Sequence, residues 1–383
     1  MRVGIDARPL SVQAAGVPRV VSSLVRELER IDQENSYFLY SHREFDLPFQ
    51  NRRWHKRIGS RTSGLPSIVW FWTEARGAIL EDNLDAFWSA LYIPPLSVPS
   101  NVAKILTVHD LESRLSPETM SLKTYWAHRL LVWPSVGQAD RIVAVSGSTA
   151  HDLQRVLKVP DSKIDVIHHG VDPAFKPQDP NKAGQYVAGK YGVSKHYALA
   201  VGTVQPRKNL VTLVEAMKIL RDRGEGSFQL VVAGVRGWKN TELDETIRRL
   251  DLTREDIRFL GLVPEEDLPM LYSGSWLFVF PSHYEGFGLP LVEAMACGVP
   301  VVASNTSSIP EVVEDAALLV PPTQPEAFAE AILRVRRDKE LRAAMIEKGL
   351  SRAACFRWDK AAGQLLECMR RAVAEKRSGK RHD

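Results

Sequence analysis

The sequence has 383 residues, of which 44% are hydrophobic and 25% charged, a globular composition in a chain too long for one core. At roughly 100 to 200 residues per domain, we expect two domains. Fifty Lys and Arg residues against 46 Asp and Glu residues leave a formal charge of +4, which argues against a polycation that coats nucleic acid. Cys297, Cys355 and Cys368 lack the spacing of a zinc site or a disulfide framework.

The N-terminal sequence MRVGIDARPL is charged and lacks the apolar core of a signal peptide. No stretch reaches the roughly 18 apolar residues of a membrane-spanning helix. We therefore expect a cytoplasmic protein, at most peripheral to the inner face of the cytoplasmic membrane.

Short apolar runs alternate with amphipathic segments along almost the whole chain. In the first half we predict strands at 3–7, 37–40, 86–89, 104–108, 141–145 and 165–168. In the second half we predict strands at 197–201, 229–233, 257–260, 276–280, 299–303 and 317–320. Helices are predicted at 18–31, 209–223, 265–272 and 325–337. This alternation is typical of βαβ units and predicts an α/β fold with two Rossmann-like, doubly wound parallel sheets that face each other across a cleft.

The alternation pauses at 172–190, where three prolines occur and no strand is evident. We place the domain junction there and predict an N-terminal Rossmann-like domain at 1–180 and a C-terminal Rossmann-like domain at 181–360. A last helix with a basic tail is predicted at 361–383.

The most informative stretch is 281–300, PSHYEGFGLPLVEAMACGVP, which follows a predicted strand. Glu285 and Glu293 are eight residues apart, and Gly286 and Gly288 lie between them. Glycine amides and the N-terminus of the helix that follows suit a diphosphate, and Glu293 suits ribose hydroxyls. The alternative is an exposed acidic loop with a glutamate that interacts only with the helix dipole.

A second cluster, GTVQPRKN at 202–209, also lies between a predicted strand and a predicted helix. Arg207 can bind a phosphate bidentately, and Lys208 supplies a compact positive charge. Such a pair alone is usually part of a solvated loop. Since both clusters follow strands in the same half of the chain, we expect them to meet.

The first half offers two weaker candidates. Gly16 lies between the first strand and a helix, where Rossmann folds bind ligands, although the sequence is not G-x-G-x-x-G. His109, followed by Asp110, ends a predicted strand. A neutral histidine there suits a sugar hydroxyl, and an ordinary loop histidine is an equally good interpretation.

Together and in chain order, these motifs resemble the retaining glycosyltransferases of family 4 (glycosyl transferases group 1), bacterial polysaccharide mannosyltransferases among them, which have the GT-B fold. The matching segments are GIDAR, the Gly16 loop, the HD pair at 109–110, VAVSGST, VIHHGVD, GTVQPRKNL, LVVAG, FLGLVPEEDLPMLY, EGFGLPLVEAMACGVPVVAS and EVVEDAALLVPP. The E-x7-E block is the most specific of them, and the PRKN block is next.

The resemblance implies that the domain at 1–180 binds the acceptor, that the domain at 181–360 binds the nucleotide sugar, and that the last helix crosses back to the first domain. It also implies that Arg207 and Lys208 contact the diphosphate of the donor and that Glu293 contacts its ribose. Glu285 would address the donor sugar and phosphates together with the loop residues Gly286, Phe287, Gly288 and Leu289. Family 4 enzymes work without a bound metal, so no cofactor is expected, and the nucleotide sugar is a co-substrate.

The resemblance also implies roles for two residues of the first domain: Gly16 would lie against the phosphates, and His109 would contact the transferred sugar. The predicted catalytic residues are then His109, Arg207, Lys208 and Glu285. In the expected mechanism, cations and amides stabilise the charge that grows on the leaving phosphate. The leaving oxygen takes the acceptor's proton, so no protein base is required.

The resemblance to bacterial polysaccharide enzymes makes mannose from GDP-mannose our first expectation for the donor, with other nucleotide sugars close behind. The expected acceptor is a glycan or a polyprenyl-diphosphate-linked sugar. The segment 51–76 has six Lys and Arg residues, Arg61 among them, and one acid, Glu74, interleaved with tryptophans. This pattern suits peripheral contact with an anionic membrane through Arg52, Arg53, Lys56 and Arg57. A charged loop followed by a buried VWFW strand or helix is the equal alternative.

Other protein classes fit the sequence less well. A nicotinamide-dependent oxidoreductase would need G-x-G-x-x-G with an acidic ribose partner, and neither half has it. A non-catalytic sugar-binding protein would normally be exported, which the absence of a signal peptide argues against. A nucleotide-sugar 2-epimerase of the same fold remains the alternative enzyme.

Overall fold

A computed structural model describes residues 1–12, 16–59, 67–93, 97–193, 196–225 and 228–379. The chain divides into two compact units, of which the first comprises Met1–Gly170 and Arg357–Asp383 and the second comprises Val171–Phe356. Every predicted strand is present, with bounds that differ by at most two residues.

The described part of the first unit contains a seven-stranded sheet in which all neighbouring strands pair in parallel, in the order β3-β2-β1-β4-β5-β6-β7. Its strands are β1 (Arg2–Asp6), β2 (Ser36–Ser41), β3 (Trp54–Ile58), β4 (Ala86–Ser89), β5 (Ala103–Val108), β6 (Arg141–Ala144) and β7 (Ile164–Val166). The intervening helices are α1 (Val17–Ile31), α2 (67–81), α3 (Glu112–Leu115), α4 (122–138) and α5 (Gly147–Leu157). π turns at Phe71–Ala75 and His128–Val132 interrupt α2 and α4.

The second unit contains a six-stranded parallel sheet in its described residues, in the order β10-β9-β8-β11-β12-β13. Its strands are β8 (Tyr197–Val201), β9 (Gln229–Ala233), β10 (Ile257–Gly261), β11 (Leu277–Phe280), β12 (Val301–Ser304) and β13 (Ala317–Val320). Its helices are α6 (Pro180–Tyr191), α7 (Leu210–Asp222), α8 (Thr241–Arg249), α9 (Leu268–Gly274), α10 (Leu289–Ala296), α11 (Ile309–Val313), α12 (Pro325–Arg337) and α13 (Lys339–Ala353). In each sheet, strands are added first on one side of the first strand and then on its other side. This strand order is the doubly wound arrangement that was predicted.

The last helix, α14 (Trp358–Ser378), packs against α1, β4 and β5 of the first unit. Near its end Glu375 pairs with Arg141 at 3.0 Å, and Lys376 pairs with Asp140 at 2.7 Å. Lys380 and Arg381 of the predicted basic tail lie outside the described residues.

Two elements differ from the sequence-based predictions. The sequence analysis did not predict β3, because WHKRI is mostly polar; β3 is an edge strand that pairs only with β2 among the described residues. The domain junction was placed at 172–190 because no strand is evident there, and the helix α6, which begins within this stretch, was not predicted. Asp179 caps α6 by accepting hydrogen bonds from the amides of Asn181 and Lys182, and Pro180 is its first residue, a position that suits proline.

The division between the units falls at 170/171 and 356/357, whereas the sequence suggested 180/181 and 360/361. The segment after Gly170 packs within the second unit. The Phe175 ring lies edge-on to Tyr272 at 5.9 Å, and the amide of Gln178 donates to Ser273 Oγ at 3.2 Å. These contacts assign 171–179 to the second unit.

A close backbone approach joins the loops that follow β8 and β9. A Cβ atom on Gly234, whose φ is +154°, would lie 2.0 Å from the carbonyl oxygen of Gly202.

We expect Gly234→Ala to lower the free energy of unfolding at least twice as much as Gly261→Ala does. Gly261 also has a positive φ but has space for a methyl group, so its substitution costs about 1–2 kcal/mol of backbone strain. Urea denaturation of both variants measures the difference, and equal losses would show that the close contact is unimportant.

Candidate active site

A tight turn after β8 places two cations at the carboxyl end of the sheet. The turn, Pro206–Lys208, ends at Asn209, which adopts the left-handed conformation. Asn209 Nδ2 donates hydrogen bonds to the carbonyl oxygens of Pro281 at 2.9 Å and Pro322 at 2.6 Å. The Asn209 side chain therefore fixes the β8 turn to the loops that follow β11 and β13.

Arg207, Lys208 and Glu285 form a buried ion triad. Arg207 Nη1 lies 2.8 Å from Glu285 Oε2, and Lys208 Nζ lies 2.6 Å from Glu285 Oε1. The three side chains are only 12%, 15% and 8% exposed. Arg207 also donates to the carbonyl oxygen of Tyr284 at 2.7 Å, and Lys208 lies 4.9 Å from the centre of the Phe280 ring. The two clusters that the sequence analysis expected to meet are thus in contact.

The triad fixes the charge state of Glu285. Burial alone would raise the pKa of this carboxyl group, but the charges of Arg207 and Lys208 and the hydrogen bond from Lys208 lower it to about 2. Glu285 is therefore ionised at neutral pH, and its charge compensates part of the positive charge of the two cations. The remaining positive charge suits a polyanion such as a diphosphate.

The glycine loop that follows Glu285 is held by two serines that the sequence analysis missed. The Glu285 amide donates to Ser307 Oγ at 2.9 Å, and Ser308 Oγ lies 3.0 Å from the carbonyl oxygens of both Glu285 and Phe287. Ser307 itself adopts a positive φ of 50°. The only sequence signal for these serines is the run TSS at 306–308, after the predicted strand at 299–303. The sequence does not show which distant backbone groups a serine hydroxyl contacts.

The glycine loop leads directly into α10. Gly286 and Phe287 precede Gly288, which occupies the N-cap position with a positive φ, and Leu289 is the first helical residue. A helix N-terminus with adjacent glycine amides is an anion-binding arrangement. The predicted loop residues therefore lie together beside the ion triad.

Glu293 lies further along α10 and is only 2% exposed. Its Oε2 accepts a hydrogen bond from the Tyr272 hydroxyl at 2.9 Å. This partner belongs to α9 and not to the triad. The predicted contact of Glu293 with a ribose stays a prediction.

In the first unit, Gly16 is the N-cap residue of α1. Its φ of +81° lies in a region that favours glycine, and an added Cβ would meet no described atom within 4 Å. A side chain at this position would be disfavoured by the backbone and not by crowding. The predicted contact of Gly16 with a phosphate stays a prediction.

His109 follows β5, and its ring is in contact with the protein interior. His109 Nε2 lies 3.1 Å from the carbonyl oxygen of Ala90, so this nitrogen carries the proton and Nδ1 is the acceptor of the neutral ring. Burial lowers the pKa of His109 below its ordinary value, in spite of the nearby Asp110. The neighbouring His169 ring lies 5.6 Å away. A neutral His109 with an Nδ1 acceptor suits a sugar hydroxyl.

The basic residues proposed for membrane contact mostly bind partners within the first unit. Arg57 pairs with Asp82, Lys56 Nζ donates to the Phe45 carbonyl oxygen at 2.6 Å, and Arg53 Nη1 donates to that of Asp32 at 2.9 Å. Arg52 lies exposed in a turn, and Arg61 lies outside the described residues. The predicted membrane contact through these residues stays a prediction.

The aromatic residues of the same segment are divided between the core and the surface. Trp70 and Phe71 are 1% and 0% exposed, whereas Trp72 is 47% exposed. The alternative of a buried VWFW segment is therefore confirmed for Trp70 and Phe71, which lie on α2.

Within the described residues, no group of three or more His, Cys, Asp or Glu side chains could hold a metal ion. Across those same residues, every helix is either too short or too polar to cross a bilayer.

Comparisons with known proteins define the class of this chain. Residues 190–352 match the family described as "Glycosyl transferases group 1", and residues 14–175 match "Glycosyltransferase Family 4". The "O-antigen chain mannosyltransferase B" of Escherichia coli is 36% identical over 264 residues, which are 68% of this chain and 68% of that protein. The "O-antigen chain mannosyltransferase RfbU" of Salmonella typhimurium is 28% identical over 72% of this chain and 73% of its own length.

Among solved structures, sucrose-phosphate synthase from Thermosynechococcus elongatus has a TM-score of 0.77 at 20% identity, over 97% of this chain and 99% of that one. This likeness concerns the fold alone. The chain is a glycosyltransferase with a GT-B fold. It belongs to glycosyltransferase family 4, the glycosyl transferases group 1.

Proposed function

We propose that this glycosyltransferase is a retaining enzyme that transfers mannose from GDP-mannose to a glycan or polyprenyl-diphosphate-linked acceptor in polysaccharide biosynthesis. The observation that carries the donor site is the buried triad of Arg207, Lys208 and Glu285 beside the α10 N-terminus. Two cations and a row of amides at one sheet edge match the charge and shape of a nucleoside diphosphate.

In the proposed step, the bond between the sugar C1 and the diphosphate oxygen breaks, and a bond forms between C1 and the acceptor oxygen. The electron pair of the broken bond stays on the leaving phosphate, which Arg207, Lys208 and the loop amides stabilise. The acceptor hydroxyl's proton passes to that phosphate oxygen, on the face from which the acceptor enters. The new bond therefore has the configuration of the old one, and no protein base is needed.

The other predicted residues keep the roles that the family resemblance implies. Glu293 binds the ribose, Gly16 lies against the phosphates, and His109 accepts a hydrogen bond from the transferred sugar through Nδ1. Since Arg207 and Lys208 supply the positive charge at the diphosphate, we propose that the donor binds without a resident metal.

Mannose is proposed because two relatives are named O-antigen mannosyltransferases. The same names favour a growing polysaccharide as the acceptor. The proposed partners are thus a nucleotide sugar and a glycan or lipid-linked glycan.

The donor is tested by a thermal-shift panel of GDP, UDP, ADP and dTDP sugars. We expect the largest stabilisation from GDP-mannose, about 2.7 kcal/mol at 100 times its dissociation constant. Excess EDTA should leave that shift unchanged, because the cations of the site are side chains. A larger stabilisation by another nucleotide sugar would identify that sugar as the donor instead. If no nucleotide sugar in the panel stabilised the protein, the proposed nucleotide-sugar site would be contradicted.

The reaction is tested by analysing products with and without a mannan-type acceptor. Release of GDP that depends on acceptor, with an α-linkage in the product as in the donor, supports retaining transfer. An inverted linkage would contradict the proposed geometry. Epimerised sugar or free GDP formed from the donor alone would favour a nucleotide-sugar 2-epimerase.

A further inference from the structure

Among the described residues, the two parallel sheets have four strands at their edges: β3, β7, β10 and β13. An exposed edge can pair with another chain, and proteins prevent this with charged side chains or bulges. β3 carries Lys56 and Arg57, β7 carries Asp165, and β10 carries Arg258 and an irregular pairing with β9. β13, with the sequence ALLV, has no charge and pairs in unbroken register with β12. Of these four edges, β13 is therefore the one that lacks both protections.

The backbone of β13 presents hydrogen-bonding groups at this edge. The Val320 carbonyl oxygen accepts a hydrogen bond from the Asn305 amide at 3.0 Å, so the backbone groups of Val320 face β12. Because backbone groups alternate between the two sides of a strand, those of Ala317 and Leu319 face away from β12. Among the described residues, β13 pairs only with β12. A second strand can therefore pair with Ala317 and Leu319.

A groove of about 560 Å³ lies between β13 and α12. Its apolar lining includes the half-buried Leu318 and Leu319 of β13 and Ala327 and Ala331 of α12. The charged residues that line the groove are Glu330, Arg334 and Arg337. The groove thus joins an apolar strand edge to a charged face of α12.

The charges on this face of α12 are ordered along the helix. Glu326, Glu330 and Arg334 are spaced by four residues and therefore share one face. Glu330 pairs with Arg223. Glu326 and Arg334 are exposed, and neither makes an ion pair within the part of the chain that the structure describes. The face therefore presents an acid near the start of the helix and a cation two turns later.

We propose that two copies of this chain form a symmetric dimer through β13 and α12. The two β13 strands pair antiparallel, and Ala317 of each copy exchanges backbone hydrogen bonds with the partner's Leu319. The two α12 helices lie antiparallel across the same twofold axis, so that Glu326 of each copy lies opposite the partner's Arg334. Glu330 lies nearest the axis, where its pair with Arg223 compensates its charge. The pairing joins the two six-stranded sheets into one continuous sheet.

The occupant of this surface is a second copy because both the strand edge and the helix face are self-complementary. A twofold axis places an acid opposite a cation twice, whereas a foreign segment with one sign of charge would match only half of the face. β11 and β12 separate β13 from β8, after which Arg207 and Lys208 lie. Dimerisation needs neither donor nor acceptor, so it is measured separately from the proposed transfer reaction.

The helix contact is tested by sedimentation velocity of the full chain over about 1 to 100 µM, without donor or acceptor. We expect wild type to approach twice the mass of one chain as its concentration rises. Arg334→Glu makes both attractive pairs repulsive and should weaken the dimer by at least about tenfold. Glu326→Arg/Arg334→Glu exchanges the two charges and should restore the dimer to within about threefold of wild type. A structural defect in α12 would not be repaired by the second substitution.

The strand pairing is tested at β13. Leu319→Lys places a charge on the edge and should weaken the dimer by at least about tenfold. In hydrogen exchange, the segment 316–321 of wild type should exchange more slowly at high protein concentration than at low concentration, and Leu319→Lys should remove this dependence. Leu262→Lys is the matched control, because Leu262 is 75% exposed and follows β10 at the opposite edge of the sheet. It should leave the dimer unchanged.

Two charge reversals elsewhere on the second unit are controls for the α12 variants. Glu245→Arg on α8 and Arg254→Glu change exposed residues and should not affect the dimer. Circular dichroism and melting temperature establish that each variant is folded. A wild type that is monomeric at every concentration would overturn the proposal. A wild-type dimer that the α12 and β13 variants leave intact would overturn it as well, since another surface would then join the two copies.

Discussion

Replacing Lys208 with alanine is expected to lower kcat/KM by about 100- to 1,000-fold, as the loss of one preorganised charge at a developing oxyanion does in other enzymes. The Lys208 ammonium is 2.6 Å from Glu285 and is only 15% exposed, so bulk water screens it little. Because negative charge grows on the leaving phosphate in the transition state, most of the loss should appear in kcat. Steady-state kinetics with GDP-mannose and acceptor measure the division between kcat and KM.

Lys218→Ala is the matched control for Lys208→Ala. Lys218 lies on α7, which follows the Lys208 turn, and it pairs with Asp222 on the surface. Its loss should leave kcat/KM near the wild-type value. Normal turnover and unchanged donor affinity in Lys208→Ala would show that Lys208 is not part of the donor site.

The contact between the two motifs of the second unit could be predicted, because sheet topology determines it. GTVQPRKN follows β8 and the glycine loop follows β11, and these strands are neighbours in the sheet. Loops at the same ends of adjacent parallel strands meet at one edge. The ion triad of Arg207, Lys208 and Glu285 is the result.

Other features could not be obtained from the sequence because they depend on partners distant in the chain. The sequence does not determine which face of α2 is buried, yet Trp70 is 1% exposed and Trp72 is 47% exposed. Likewise, a count of basic residues did not show that Arg57 binds Asp82 while Arg52 is exposed. Only packing separates the cations that bind partners within the unit from those at its surface.

Glu285→Gln is expected to lower the free energy of unfolding at pH 7 by about 3 kcal/mol, because it leaves Arg207 and Lys208 buried without their common anion. The same ion triad gives the effect a defined pH dependence. The pKa of Glu285 falls from an ordinary 4.5 to about 2, and a depression of this size corresponds to about 3 kcal/mol. Because the folded state holds the carboxylate ionised, this stability is fully present above pH 4.5 and is lost as the pH falls towards 2.

Urea denaturation of wild type and Glu285→Gln from pH 7 to pH 2.5 tests this dependence. The difference between the two proteins should be largest at neutral pH and should shrink below pH 4.5. Glu347→Gln makes the same charge change at an exposed position on α13 and should give no such convergence. GDP should restore more stability to Glu285→Gln than to wild type, since the diphosphate replaces the missing negative charge. A difference that is constant with pH, or an equal effect of GDP on both proteins, would mean that Glu285 does not neutralise the two cations.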